Sequence, residues 1–495
     1  MRNILLSLVM LSGTWLAAQQ TLKPPVTWDE AALREWATPI AGLNVRPGHF
    51  SSEEYLKAPV DNLRTYPVYF PGREPAGYWE MLQSVGPKPL IEPAALTSDA
   101  EWVRAGQRVF DEFDIAAFRS VDPQVVAFAR TPQGFANSPV KPRPDGTLPD
   151  LRWIPTSKGV ALGLGNCAPC HTRLMPDGTL VRGAPPNEIP SPIGRFRMGR
   201  WGASAVELAG DTTAMAVWRS WAAPWVADDI HESLKTAGPA QIGPLFGAAA
   251  APGMFPRWNG SAFYPTKIPD LIGIKDRKYI DHTATHQHRG PGDVMRYAAL
   301  VSFSDSSDFG PHRMLTDEQR HIAVRAPDEA LYALAMFIYS LEPPSNPNRN
   351  NPGAADGQRV FQREGCGGCH TPPLYTNNRL TLASGFTPPP EHFTLLDIMR
   401  VSVGTDPNLA LKTRKGTGYY KVPSLKGVWY RGRYLHDGSL TKLEEMFDPA
   451  RLRDDYAPTG FMLPGQKTRA VPGHVFGMKL NETDREALLV FLRSL

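Results

Sequence analysis

A chain of 495 residues is long enough for two or three domains with separate cores. Its 42% hydrophobic and 21% charged residues exclude a disordered chain, and a net charge of +4 without a basic block gives no reason to expect a nucleic-acid partner. The 49 prolines and 43 glycines predict long irregular loops around short helices.

The first residues, Met1-Arg2-Asn3, precede an apolar run from Ile4 to Met10 and the small-residue stretch Leu16-Ala17-Ala18. That order predicts a secretory signal peptide over 1–18. The run is short for a membrane anchor, which is the alternative. No later stretch is apolar enough to span a bilayer, so the chain is expected to be periplasmic or secreted, without a membrane span after cleavage. Residues 19–97 carry no cysteine and are rich in proline and aromatics such as Tyr66, Tyr69, Phe70, Tyr78 and Trp79. They predict an extended arm packed over the domain that follows.

Ser98 and Glu101 form a capping-box pattern, and Trp102, Val103, Val109 and Phe110 follow at helical spacing. A helix is predicted from about 99 to 112. Its Gly106-Gln107-Arg108-Val109-Phe110 recurs as Gly357-Gln358-Arg359-Val360-Phe361, an internal repeat. After each copy comes a Cys-x-x-Cys-His: Cys167, Cys170 and His171 in the first, Cys366, Cys369 and His370 in the second. This is the attachment pattern of c-type haem. Two thiols bond the vinyl groups, and the next histidine reaches the iron from one face. A redox dithiol or a four-cysteine zinc site are the alternatives, and neither employs the two histidines. The motifs use all four cysteines of the chain, so two covalently bound haems are expected. Export agrees with this, because such haem is normally attached after export. In the second copy the motif follows its helix directly. In the first, an insertion over about 114–160, full of proline and glycine, intervenes.

Each copy also closes alike. Leu331, Leu334, Ile338 and Leu341 mark a helix over 328–341, and Leu488, Leu489, Leu492 and Leu495 mark another over 482–495, with Asn481 as its N-cap. The glycines of the repeat would let the opening and closing helices cross closely. A third echo pairs Lys267-Ile268-Pro269-Asp270-Leu271-Ile272-Gly273-Ile274 with Lys421-Val422-Pro423-Ser424-Leu425-Lys426-Gly427-Val428. Pro269 and Pro423 are expected near their histidines, each offering a carbonyl to the imidazole N–H. The run from Glu342-Pro343-Pro344 to Pro352-Gly353 reads as a linker. The domains are then 98–342 and 353–495. The expected fold is mainly α: two cytochrome c-type domains with long irregular loops and an extended N-terminal arm.

With its two haem motifs, paired repeats and the tail Tyr434-Leu435-His436-Asp437-Gly438-Ser439-Leu440, the chain resembles the bacterial di-haem cytochrome c peroxidase/MauG superfamily. The wide gap between motifs is more similar to the longer members, which include di-haem rubber oxygenases. The resemblance covers 353–495 well and the first 340 residues less well. It implies one haem that reacts with peroxide or oxygen and another that relays electrons from a small donor protein such as a cytochrome c or cupredoxin. It makes His171 and His370 the proximal iron ligands and the four cysteines the thioether anchors. Where such peroxidases often carry a distal methionine, this chain has Ala450. Gly473-His474-Val475-Phe476-Gly477 resembles a segment of longer members whose histidine is axial, which makes His474 the second ligand of the second iron; Met446, Met462 and Met478 are the fallbacks. His436 orders the pocket through hydrogen bonds, or is a solvated loop residue.

The sixth position of the first iron is open, or holds one of His282, His286 and His288. His286 and His288 rank first as ligand or as distal acid–base group. Trp218, Trp221 and Trp225 lie either between the haems or in core packing, and Arg195, Arg197, Arg200 and Arg431 are candidates for pairing with haem carboxylates. Three functions fit: a peroxidase-like enzyme, favoured here; a pure electron carrier; and a dioxygen-dependent oxygenase with an apolar channel.

Overall fold

The computed structural model describes residues 24–495 apart from 116–118, 136–141, 164, 188–222, 239–240, 242–250, 256–262, 265, 303–307, 314, 319–321, 323 and 464. The expected leader at 1–18, Arg195, Arg197, Arg200, Trp218 and Trp221 lie outside the described residues.

Two crossed helix pairs position everything else. Helix α1 (Asp99–Glu112) starts at the expected capping box: the Ser98 backbone N–H donates to the Glu101 carboxylate at 2.9 Å, and the Glu101 N–H donates back to Ser98 Oγ. It crosses α2 (Asp328–Ser340), burying Trp102, Val109 and Phe110 against Leu331, Leu334, Phe337 and Ile338. Helix α3 (Ala354–Arg363) crosses α4 (Glu482–Ser494) in the same way, and Asn481 Oδ1 caps α4 by accepting the Asp484 N–H at 2.9 Å. The glycines set both crossings. A Cβ on Gly106 would lie 1.8 Å from the Ala333 carbonyl oxygen, and one on Gly357 would lie 1.9 Å from that of Ala487. Phe337 and Phe491 close the two contacts from equivalent positions. Gly106→Ala and Gly357→Ala are therefore each expected to cost about 3 kcal/mol, since backbone on both sides must move. Denaturant midpoints compared with an exposed-site control would measure it; a loss under about 0.5 kcal/mol would contradict the crossing.

The fold is mixed α/β rather than mainly α, with 34% helix against 13% strand in several small sheets. The largest correction falls on the arm and the insertion. Strand β1 (Tyr66–Tyr69) of the arm pairs antiparallel with β2 (Thr147–Thr156) of the insertion, which pairs with β3 (Gly159–Gly163). Sequence alternation does not announce β2, because Pro149 and Pro155 interrupt it and the register with β1 shifts between Pro67 and Val68. Nor is the arm extended. It forms short helices at Glu30–Trp36, Ser52–Lys57 and Tyr78–Val85, too brief to show a helical period. Trp28 and Trp36 are fully buried in the same core as α1 and α2, and Trp28 stacks on Tyr55 with ring centroids 4.7 Å apart. The arm is thus an integral wall of the first repeat. Among the described residues no helix is long and apolar enough to cross a membrane.

Candidate functional site

The second Cys-x-x-Cys-His begins directly beyond α3, where Gly365 takes a left-handed φ of 76° and turns the chain into the 3-10 segment Cys366–Gly368. Cys366, Cys369 and His370 open onto a cavity of about 240 Å³ between α3, α4 and the following loops. Its walls are largely apolar and include Phe361, Leu443, Met446, Leu488 and Leu492. The His370 imidazole is fixed from behind. Its Nδ1 lies 3.1 Å from the Pro423 carbonyl and 3.2 Å from that of Tyr375, so Nδ1 carries the proton and Nε2 faces the cavity. This is the carbonyl contact expected of Pro423. The Pro269 segment adjoins the first motif through Gly183, whose N–H donates to the His171 carbonyl while its own carbonyl accepts the Leu271 N–H.

His474 stands across the cavity from His370. Their ring centroids are 6.4 Å apart. One metal ion bonded to two facing imidazoles at about 2.1 Å, with each centroid about 1.1 Å behind its nitrogen, sets a separation of about 6.4 Å. The His474 Nδ1 is buried and has no hydrogen-bond partner among the described residues. Burial, and then the neighbouring His370, push its pKa down to about 4, and burial also holds His370 below the usual imidazole range. Both rings are neutral at pH 7, the state a metal ligand requires.

The loop that presents His474 is held against its own preference. His474 has φ 47°, a left-handed conformation costing a non-glycine residue about 1–2 kcal/mol. Gly473 beside it (φ 75°) admits no side chain, since a Cβ would lie 2.1 Å from the Thr405 nitrogen. Arg451 holds the loop in place. It is fully buried, makes no ion pair among the described residues, and spends its guanidinium on the carbonyls of Met446 (3.3 Å), Val471 (2.5 Å), Gly473 (2.7 Å) and His474 (3.0 Å). Sequence reasoning missed Arg451, although it adjoins Ala450, where a distal methionine is absent.

His436 lines the same cavity, with its ring stacked on Tyr420 (centroids 4.3 Å apart) and its Nε2 3.2 Å from the Tyr420 hydroxyl. Arg469 braces the adjoining turn through Asp437 (3.1 Å) and Ser439 (2.7 Å). Met446 is a wall residue, whereas Met462 and Met478 do not line the cavity.

The three clustered histidines separate. His282 lines the second cavity, not the first site where sequence placed it. His286 packs in an aromatic cluster of the first repeat, 4.0 Å between centroids from Trp36 and 5.4 Å from Tyr297. His288 has both nitrogens engaged, by the Arg277 carbonyl at 2.7 Å and the Tyr339 hydroxyl at 2.6 Å. Neither reaches the cavity of His370 and His474. Trp225 packs beside Gly42, Phe309 and His312.

The first motif forms the 3-10 turn Ala168–Cys170, and Cys167 and Ala168 pack against the core of α1 and α2. Burial raises the Cys167 thiol to about 12 and the Cys366 thiol to about 11. Thiols so hard to ionise do not suit a redox dithiol, which needs a lowered pKa. The described cysteines and histidines are not gathered into a group of three or more that would hold a lone metal ion.

The repeats interlock at a seam. The Lys267 N–H donates to the His436 carbonyl at 2.9 Å, and the Lys421 N–H donates to the His282 carbonyl at 3.0 Å. Each lysine comes from one repeat and each histidine from the other. The third sequence echo therefore extends further than its first eight residues, with Arg277 and His282 answering Arg431 and His436. That longer match was the available signal for His282 and Arg277.

No family model matches the sequence, and no curated protein matches it. Among solved structures, one similar to this chain is a Kuenenia stuttgartiensis hydrazine synthase pressurized with 20 bar xenon, at 13% identity and a TM-score of 0.30, covering 58% of this chain and 87% of that one. Another is a MauG-like protein associated with microbial copper homeostasis, at 14% identity and a TM-score of 0.30, covering 59% of this chain and 88% of that one. At that TM-score neither likeness carries an argument about function, which rests on the residues themselves.

Proposed function

We propose that the chain is an exported di-haem c-type oxidoreductase, peroxidase-like, with an electron-relay haem in the second repeat and a peroxide-reactive haem in the first. The observation that carries this reading is the pair His370 and His474, facing each other at 6.4 Å beside Cys366 and Cys369. Haem bound there supplies one-electron chemistry. The chain's own residues determine its use. His370 and His474 would hold such a group from both sides and would leave small molecules no way in, as suits a relay. Pro423 and Tyr375 orient His370, and Arg451 orients His474. The resemblance to di-haem peroxidases assigns the reaction with peroxide to the haem at Cys167, Cys170 and His171. Peroxide takes two electrons and two protons to give two waters, and the electrons would come from a small donor protein.

Electron paramagnetic resonance of the oxidised and half-reduced protein tests this. One haem is expected to be low-spin with two imidazoles, and the other to change its signal on half-reduction and on adding peroxide. Two low-spin haems that never change would make the protein a carrier and overturn the enzymatic reading.

A further inference from the structure

We propose that the seam between the two Lys-x-Pro segments is a carboxylate-binding site, in which Lys267, Arg277, Lys421 and Arg431 hold the acidic side groups of the macrocycle seated between His370 and His474. The inference rests on the haem reading of that cavity and names the residues of both repeats that complete it.

A chamber of about 40 Å³ adjoins the large cavity, and both are lined by Lys267, His282, Lys421 and Arg431; Arg277 lines the chamber alone. Four cationic side chains thus meet there, against a single carboxylate in the chamber wall, Asp270. Asp270 is already shared: its Oδ2 lies 3.6 Å from Arg431 Nε and 3.9 Å from Arg277 Nη2. The two lysines make no ion pair among the described residues. Lys267 Nζ donates to the Arg433 carbonyl at 3.2 Å, and Lys421 Nζ to the carbonyls of Tyr279 and Ile280 at 3.2 and 2.8 Å. The next carboxylates are engaged elsewhere, Asp281 by the Tyr297 hydroxyl at 3.0 Å and Asp437 by Arg469 at 3.1 Å. Burial and the neighbouring cations lower the pKa of both lysines, that of Lys267 to about 8.

Half-buried cations in excess call for anions of matching placement. Haem carries two carboxylate side groups on one edge. With its iron between His370 and His474 and its opposite edge bonded at Cys366 and Cys369, the acidic edge would meet this cationic wall, the one such wall among the described residues of the cavity. A divalent cation, by contrast, would face four like charges and one shared carboxylate.

The test uses the full haem-loaded protein. Lys267→Met and, separately, Lys421→Met are compared with wild type by potentiometric titration of the low-spin haem between about pH 5 and 7, where a carboxylate stripped of its cation would titrate. Wild type is expected to give a potential flat with pH, because the cations keep the carboxylates ionised throughout. Each methionine variant is expected to show a lower potential, since a positive charge near the iron is gone, and one that falls as pH rises and the carboxylate ionises. Lys267→Arg should restore the flat profile, and calcium added to wild type should leave it unmoved. Unchanged potential and slope in both methionine variants, with haem content intact, overturns the carboxylate site. A wild-type protein without haem at Cys366 and Cys369 overturns the cofactor reading instead. If both variants misfold, redox-difference infrared spectra of wild type decide: carboxylates ionised down to about pH 5 support the site, and protonation above that refutes it.

Discussion

Replacing His474 by glycine is expected to convert the second haem from low-spin to high-spin, with free imidazole restoring the original spectrum. Glycine is the informative choice because His474 sits at φ 47°. Alanine would also remove the ring, but it would leave the loop in a strained conformation with no bound side chain to hold it there. Glycine relieves about 1 kcal/mol of backbone strain while it empties the position opposite His370. The fold should therefore hold to within about 1 kcal/mol, and the spectral change should report the lost ligand alone. Optical spectra with an imidazole titration measure it. A variant that stays low-spin without added imidazole would show that another group, such as Met446 in the wall, takes the iron, and would remove His474 from the site.

The second large effect is expected at Arg451. Arg451→Met keeps the apolar stem in its buried slot but removes every donor. Four carbonyls, of Met446, Val471, Gly473 and His474, then lose a charged partner. A buried acceptor left unsatisfied costs about 1–3 kcal/mol, and partial relaxation brings the total to about 4 kcal/mol. The loss should also appear at the iron, as a growing high-spin fraction, because the His474 carbonyl is one of those released. Denaturant unfolding and optical spectra on one sample read both. Stability reduced without any spin change would make Arg451 a core residue and nothing more.

Much of this was legible in the chain. Gly106 and Gly357 announce close helix crossings because a repeated glycine before an aromatic, on an amphipathic helix, has few other uses. The cysteine spacing locates both attachment points, and Pro423 is found where its echo of Pro269 predicts a carbonyl for the imidazole. What was not legible depends on partners distant in sequence. Strand β1 finds β2 some eighty residues on, and neither alternates cleanly. Trp28 and Trp36 are core residues because α1 and α2 leave an apolar face that local sequence does not display. Arg451 looks like any loop arginine until four carbonyls close on it. His282 falls beside His286 and His288 in sequence, yet the seam turns it toward the opposite repeat, where its carbonyl accepts the Lys421 N–H.

That reciprocal bond has an evolutionary consequence. In a duplicated chain whose copies merely touch, either copy is free to diverge or be discarded. Here the second cavity borrows Lys267 and His282 from the upstream copy. A gene fragment encoding 353–495 alone would make a vessel missing one side.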